Sequence, residues 1–168
     1  EDISKYLPND VIDNLIRIDY SLFFKLLKAI IMTDDNLQNY VDVDEGIEYK
    51  LKKEIIKAVD IDDLVLKVKS KRYTYNRIRR MLIHILIGLT KEDKQNYTLN
   101  HIKILGFDKT GKDYLKTVKS DLIIQRKISD TDIAQKYELT ASLIYDMLTD
   151  SSTYKFETSN KPIIKTSA

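Results

Sequence analysis

Apolar residues recur at helical spacing between Thr74 and Leu89, and this pattern constrains the fold more than any other feature of the sequence. Residues at i, i+3, i+4 and i+7 share one face of an α-helix, and an amphipathic helix must bury that face against other elements. With only four Gly and two Pro among 168 residues, a fold rich in tight turns is disfavoured. The sequence therefore predicts a mainly α fold, a helical bundle-like domain. Six positions carry the pattern: Ile78, Met81, Leu82, Ile85, Leu86 and Leu89.

Weaker patterns predict the remaining elements. Thr110 to Asp113 is interpreted as a capping box that opens a helix. The polar tail from Ser151 is expected to be loosely held. Short apolar runs predict a minor β element of two or three short strands, at 101–105, 122–124 and 162–164. Periodicity or capping residues predict further helices at 10–18, 20–32, 37–40, 44–59, 60–68, 110–118, 130–137 and 141–148.

Several chemistries are excluded by residues that the sequence lacks. Without Cys, the chain cannot form disulfides, thiolate metal sites or cysteine nucleophiles. His84 and His101 are the only histidines, which argues against a histidine metal site. A glycine-rich phosphate loop, Gly-x-Ser-x-Gly and His-x-Gly-His are also missing. We therefore expect no catalytic residue, cofactor-binding residue or metal ligand in this chain.

Charge is distributed unevenly along the chain, although the net charge is only +2. Residues 1–60 carry 8 basic and 13 acidic side chains, and residues 61–129 carry 16 and 7. A basic block beside an acidic one suggests a polyanionic partner. Four of the acidic residues crowd one helix start, where the helix dipole explains them better than a metal site does. These are Asp42, Asp44, Glu45 and Glu48.

The basic block is densest between Lys67 and Arg80, where seven side chains are basic and none is acidic. Tyr73, Arg77, Arg80 and His84 are spaced i, i+4, i+7 and i+11, along one flank of the apolar face. Guanidinium groups pair with phosphate oxygens, and an aromatic ring can stack on an unpaired base. A second basic stripe follows at 109–119. The predicted RNA-binding residues are Lys71, Arg72, Tyr73, Arg77, Arg80, Lys109 and Lys112.

Other interpretations fit the same residues. The arginines can pair with acidic side chains of residues 1–60, which would make Tyr73 ordinary packing. The lysines of 109–119 can form a solvated surface. Because its neighbours are apolar, His84 is expected to be half-buried and hydrogen-bonded rather than a base or a ligand. A non-enzymatic RNA-binding appendage of the anticodon-binding type and a protein-interaction or dimerisation domain thus remain alternative functions.

Four segments of the sequence carry a resemblance to a known family through their residues, order and spacing. They are Asp2 to Pro8, Glu45 to Glu48, Lys71 to Thr74 and Ile104 to Phe107. The third segment is followed by Arg77, Ile78, Arg80, Leu82, His84 and Leu86, and the fourth by Gly111 and Leu115. Together they resemble the C-terminal portion of the bacterial tRNA(Met) cytidine acetate ligase family, formerly known as uncharacterised nucleotidyltransferases. The resemblance covers most of residues 2–120.

The resemblance implies a parent enzyme that uses ATP and acetate to form an acetyl-adenylate. The enzyme then acetylates N4 of the wobble cytidine of elongator tRNA(Met). ATP would bind in an N-terminal nucleotide-binding domain with a His-x-Gly-His motif. Because that domain is absent from this chain, we expect the fragment to be inactive alone and to pack against the missing domain. The tRNA-handling role implied by the resemblance falls on Arg72, Tyr73, Arg77 and Arg80.

Two regions are predicted within the chain. Residues 1–128 are expected to form a helical RNA-binding region, including the basic helix 74–89 and the strand 101–105. Residues 129–168 are expected to form a small C-terminal helical segment and tail. The longest apolar run, 81–89, is too short to span a bilayer. We therefore expect a cytoplasmic location, with tRNA as partner and neither membrane nor DNA.

Overall fold

Four α-helices and one 3-10 helix form the first half of the computed structural model, which describes residues 16–125, 127–128, 132–159 and 161–165. Side-chain oxygens of Asp19, Asp60 and Thr74 accept hydrogen bonds from first-turn N–H groups and fix where three of these helices begin. In chain order the elements are α1 (Tyr20–Thr33), the 3-10 helix (Leu37–Asn39), α2 (Ile47–Ile55), α3 (Ile61–Val68) and α4 (Tyr75–Leu86).

The second half contains shorter helices, one long helix and four short strands. The helices are α5 (Lys91–Gln95), α6 (Lys109–Thr117), α7 (Ile133–Thr149) and α8 (Thr153–Ser159). The strands are β1 (His101–Lys103), β2 (Gly106–Phe107), β3 (Ile123–Gln125) and β4 (Ile163–Ile164).

The strands form two separate parallel pairs. His101 lies opposite Ile123 in the pair of β1 with β3, and Gly106 lies opposite Ile163 in the pair of β2 with β4. At Gly106 the backbones approach closely, because a Cβ atom built there would lie 2.9 Å from the Ile163 carbonyl oxygen. Glycine is suited to such an approach.

Helix α4 lies at the centre of the core, in contact with both α1 and α3. The side chains of Ile78, Met81 and Leu82 are fully buried on its apolar face. Burial of one such side chain contributes roughly 1.5–3 kcal/mol. Leu89 is only half-buried, because the helix ends at Leu86. The apolar face predicted from the sequence is therefore the face that organises the core.

The mainly α prediction is confirmed, but several boundaries are wrong. The carboxylate of Asp108 accepts a hydrogen bond from the Gly111 N–H, so α6 begins before the predicted capping box. The helices predicted at 130–137 and 141–148 are one continuous helix, α7. The helix predicted at 44–59 is confined to α2. The helix predicted at 10–18 lies outside the described residues, except for 16–18, which are not helical.

The tail after Ser151 is more ordered than predicted. It contains α8, and the Asp146 carboxylate accepts hydrogen bonds from the backbone N–H groups of Thr153 and Tyr154, at 2.7 and 2.8 Å. These bonds connect the start of α8 to α7. The predicted strands near 122–124 and 162–164 are confirmed as β3 and β4.

Truncation of Leu82 should destabilise the fold strongly. The side chain is fully buried, so Leu82→Ala removes packing and leaves a cavity. We expect the free energy of unfolding to fall by about 2–5 kcal/mol. The neighbouring Ile83 is 48% exposed, so Ile83→Ala should cost below about 1 kcal/mol. Urea denaturation measures both values, and equal losses would contradict the assignment of α4 to the core.

Candidate nucleic-acid interface

A tight turn before α4 positions Arg72 and Tyr73. The Ser70 N–H donates to the Tyr73 carbonyl, and the Tyr73 N–H donates to the Ser70 hydroxyl, both at 3.1 Å. The Thr74 hydroxyl then accepts a hydrogen bond from the Arg77 N–H and caps α4. Ser and Thr favour such turns and caps because their hydroxyls bond to nearby backbone groups. The turn leaves Arg72 exposed and directs Tyr73 into the protein.

Tyr73 is a core residue rather than a surface ring. Its side chain is 5% exposed, and its hydroxyl donates a 2.6 Å hydrogen bond to the Asp44 carbonyl. The Arg77 guanidinium lies over the ring, 4.5 Å from its centre. Burial raises the pKa of the Tyr73 hydroxyl. The prediction that Tyr73 stacks on an unpaired base is therefore wrong for this conformation, because neither face is open to a base.

Three arginines on this flank, Arg72, Arg77 and Arg80, form what we call the basic ridge. Each pairs with one carboxylate of the acidic loop, which we define as Asp42, Asp44 and Glu45. Arg80 Nε lies 3.0 Å from Asp42, and Arg77 lies 3.9 Å from Asp44. Arg72 pairs with Glu45. The arginines thus meet the acidic residues of the first part of the chain, as one of the alternative interpretations expected.

Backbone contacts hold the acidic loop against α4. The Val41 N–H donates to the Leu89 carbonyl at 3.1 Å. The Lys91 ammonium donates to the carbonyl of Val43 at 2.8 Å and lies 2.7 Å from the Asp44 carboxylate. Gly46 has φ +80°, a conformation that glycine adopts without steric cost and that lets the chain turn into α2. The Leu89 and Lys91 contacts come from residues that follow the C-terminal end of α4, and Tyr73, just before its N-terminal end, donates a further hydrogen bond to the Asp44 carbonyl.

His84 extends the cluster towards Asp42. Its Nδ1 lies 3.2 Å from an Asp42 carboxylate oxygen, without the alignment of a hydrogen bond. The side chain is half-buried, as predicted, but its Nδ1 has no hydrogen-bond partner among the described residues. Burial raises the pKa of Asp42, but the Arg80 hydrogen bond and nearby positive charges outweigh it, so the net shift is downward.

The structure brings only some of the predicted RNA-binding residues together. Lys71 is exposed beside Arg72, and within the described residues it has no carboxylate partner. Lys109 and Lys112 lie on a different element, α6, where both are exposed. Lys91 was missed from the sequence, because a single lysine carries no periodic signal. The complementary charges of residues 1–60 and 61–129 were the available hint of the pairing between loop and ridge.

The acidic loop does not assemble a metal site. Among the described residues, no group of three or more His, Asp or Glu side chains is arranged to hold an ion. Each loop carboxylate instead faces an arginine. Within the same residues, no helix is long and apolar enough to cross a membrane. The charged side chains of this surface are able to make ionic contacts and hydrogen bonds.

Stability should depend on pH through His84. Burial lowers its pKa below the ordinary value of about 6.5, and the charge of Asp42 offsets this only in part. The unfolded chain then takes up this proton at higher pH than the folded chain. The contribution to stability is complete above about pH 6.5 and is lost as pH falls towards the folded pKa.

We therefore expect His84→Gln to lose less stability than the wild type when the pH falls from about 7.5 to about 5.5. Urea denaturation at several pH values measures the difference. Superimposable pH profiles for the two proteins would contradict the assignment to His84.

Comparison with known proteins identifies the family of this chain. A family model described as HIGH nucleotidyl transferase matches residues 1–160. The chain is 33% identical over 153 residues to the tRNA(Met) cytidine acetate ligase of Clostridium perfringens, and 37% identical over 127 residues to that of Streptococcus agalactiae. These matches cover 87% and 75% of the chain but 38% and 33% of the relatives. The chain thus spans less than two fifths of the length of these curated relatives.

The fold is similar to solved structures. The crystal structure of apo Thermotoga maritima TmcAL matches with a TM-score of 0.68 and 21% identity, over 85% of this chain and 40% of that one. A crystal structure of the same protein bound with alpha-thio ATP matches with a TM-score of 0.67. The likeness shows a shared fold. The family model covers nearly the whole chain, and the matching relatives are tRNA(Met) cytidine acetate ligases, the family that the sequence resembles. The chain therefore belongs to the HIGH nucleotidyltransferase family, with the tRNA(Met) cytidine acetate ligases.

Proposed function

We propose that this chain is the tRNA-binding C-terminal portion of a cytoplasmic, ATP-dependent ligase. The enzyme would acetylate N4 of the wobble cytidine of elongator tRNA(Met) through an acetyl-adenylate. Family membership and the names of the curated relatives support the ligase assignment. In this proposal residues 1–128 contain the RNA-binding region, and residues 129–168 support it.

The ridge retains accessible cations despite its ion pairs, and this observation carries the proposal. The side chains of Arg72 and Arg80 are 67% and 61% exposed, and Lys71 is exposed beside them. A guanidinium has five N–H donors, so one carboxylate partner leaves donors for a phosphate. Bidentate Arg–phosphate contacts are strong because they are charge-assisted. The flank can therefore bind an RNA backbone without being fully released from the acidic loop.

The remaining predicted residues have different roles in this proposal. Arg77 lies over the Tyr73 ring and is less exposed than its neighbours, so Tyr73 positions a cation instead of touching RNA. Lys109 and Lys112, on α6, provide further phosphate contacts. Specificity for one tRNA would come from base and shape contacts in addition to these phosphate contacts.

ATP and acetate are assigned to the part of the enzyme that this chain does not include. The chain has no His-x-Gly-His motif and no glycine-rich phosphate loop, which supports an ATP site outside it. No step of acetate activation is therefore assigned to its side chains. The chain would hold the tRNA while the nucleotide-binding domain supplies the activated acetyl group.

Neutralising the exposed cations should weaken tRNA binding. In the triple variant Lys71→Gln, Arg72→Gln, Arg80→Gln, we expect at least a tenfold loss of tRNA affinity near physiological salt. The slope of log affinity against log salt concentration should become shallower by about two, since each lost phosphate contact removes roughly 0.7–0.9. Filter binding over a salt series measures both.

Incubation of the wild-type chain with tRNA, ATP and acetate should yield no N4-acetylcytidine.

A charge-matched control distinguishes the effect of this surface on tRNA binding from the effect of net charge. Lys25, Lys53 and Lys57 are exposed on or next to other helices, and the triple variant with Gln at these positions changes the net charge equally. It should retain most of the affinity and salt slope. Equal losses in the two variants would remove the ridge from the proposal, and unchanged binding in the first variant would do the same.

An apolar groove of about 360 Å³ between α1, α4 and α7 offers a second surface. Its walls include Ile18, Tyr20, Ile83 and Tyr145, each more than a third exposed. Exposed apolar patches often mark sites of protein contact. We assign the groove to the nucleotide-binding domain of the parent enzyme, because the curated relatives are more than twice as long as this chain and a further domain could cover the exposed apolar side chains. Dimerisation is the competing function, which the pairing of the arginines with carboxylates also favours.

Sedimentation measurements distinguish the two uses of the groove. We expect the 168-residue chain to remain monomeric as its concentration rises, and to bind a separately produced nucleotide-binding domain of the parent. Ile83→Asp should reduce that binding at least tenfold, because a buried carboxylate would lack a partner. A concentration-dependent dimer that Ile83→Asp abolishes would instead support a dimerisation domain.

A further inference from the structure

We propose that the carboxylates of the acidic loop are specificity-determining residues, which suppress binding of unstructured polyanions to the basic ridge. The inference rests on the proposed tRNA-binding function and extends it to residues of opposite charge. The carboxylates occupy part of each guanidinium that an RNA phosphate would otherwise approach. Any polyanion must then compete with a fixed negative charge held within the protein.

The pairing of the loop with the ridge is one to one and joins distant parts of the chain. Asp42 meets Arg80, 38 residues later, through a 3.0 Å hydrogen bond. Asp44 forms an ion pair with Arg77, and Glu45 forms one with Arg72. These contacts do not arise from neighbouring turns of one helix, where acidic and basic residues often pair by spacing alone. A tertiary arrangement places one carboxylate at each ridge arginine.

The backbone of the acidic loop is held in place by contacts with the rest of the protein. The Tyr73 hydroxyl donates to the Asp44 carbonyl, and Lys91 donates to the Val43 carbonyl. Asp42 and Glu45 have φ of 67° and 58°, a region that residues other than glycine rarely adopt. Surrounding contacts must maintain such a conformation. The negative charge opposite the ridge is therefore a built feature of the fold.

A fixed carboxylate affects two kinds of RNA differently. It repels every phosphate that approaches, and it also orients the guanidinium it pairs with. A folded tRNA presents phosphates at fixed positions, so oriented guanidinium groups lower the entropic cost of binding it and offset part of the repulsion. A flexible polyanion adapts to any arrangement and gains little from the orientation. The carboxylates thus disfavour the flexible partner more, which is how repulsive elements produce specificity.

The double variant Asp42→Asn, Glu45→Gln tests the inference, because it neutralises two carboxylates with nearly isosteric amides. In the 168-residue chain we expect its affinity for poly(U) to rise by about tenfold, and its affinity for tRNA by about threefold or less. The rise for poly(U) follows if each of the two pairs is worth about a threefold factor, which lies within the range of exposed ion pairs. The preference for tRNA over poly(U) should therefore fall at least about threefold. Competition filter binding at one salt concentration gives both affinities.

The control Asp35→Asn, Asp62→Asn changes the net charge equally and releases Lys52 and Arg79, which lie outside the ridge. Its preference for tRNA should stay close to that of the wild type. Glu45→Gln alone alters an exposed side chain, so it should give a smaller change in the same direction even if the Asp42 substitution disturbs the loop.

The outcomes separate this inference from the proposed function. If the wild-type chain binds tRNA and the loop variant keeps or increases its preference for tRNA, the inference is overturned and the proposed function stands. Equal changes in the loop variant and the control also overturn it, because net charge then explains the effect. If the wild-type chain binds no tRNA, both fail.

Discussion

The rest of the structure depends on burial of the apolar face of α4. Ile78, Met81 and Leu82 are fully buried on that face, and the contacts of α4 with α1 and α3 fix its rotation about its own axis. Because side chains on a helix diverge at fixed angles, this rotation also determines where Arg77 and Arg80 point. The uncharged residues of the hydrophobic core thereby determine the direction in which the arginines of the ridge on α4 point.

Local signals in the sequence were enough to predict the helical core. Periodicity predicts α4, and the helix predicted at 60–68 corresponds to α3, because caps and apolar faces depend on residues within one or two turns. The start of α6 was misplaced because Asp108 and Thr110 are both capping types, and only the fold selects Asp108. The break predicted within α7 was wrong, since no glycine or proline interrupts residues 137–141.

Pairing of the ridge with acidic residues of 1–60 was one interpretation of the sequence, but the individual partners could not be predicted, because the contacts are tertiary. The spacing of Tyr73, Arg77 and Arg80 places them on one flank but does not say what lies against it. Asp42 reaches Arg80 only because the acidic loop folds back towards α4, where it also accepts a hydrogen bond from the buried Tyr73. The resulting surface combines exposed cations with internal counter-charges. It differs from an uncompensated basic patch, whose affinity for nucleic acid comes mainly from net charge.

The close approach at Gly106 has a consequence for the end of the chain. β4 joins β2 through two parallel residue pairs, one of which brings the Ile163 carbonyl to where a side chain at 106 would begin. Even a single methyl group at that position would have to displace the strand. The attachment of residues 163–164 therefore depends on the absence of a Cβ atom at position 106, and two strands paired this closely require glycine there.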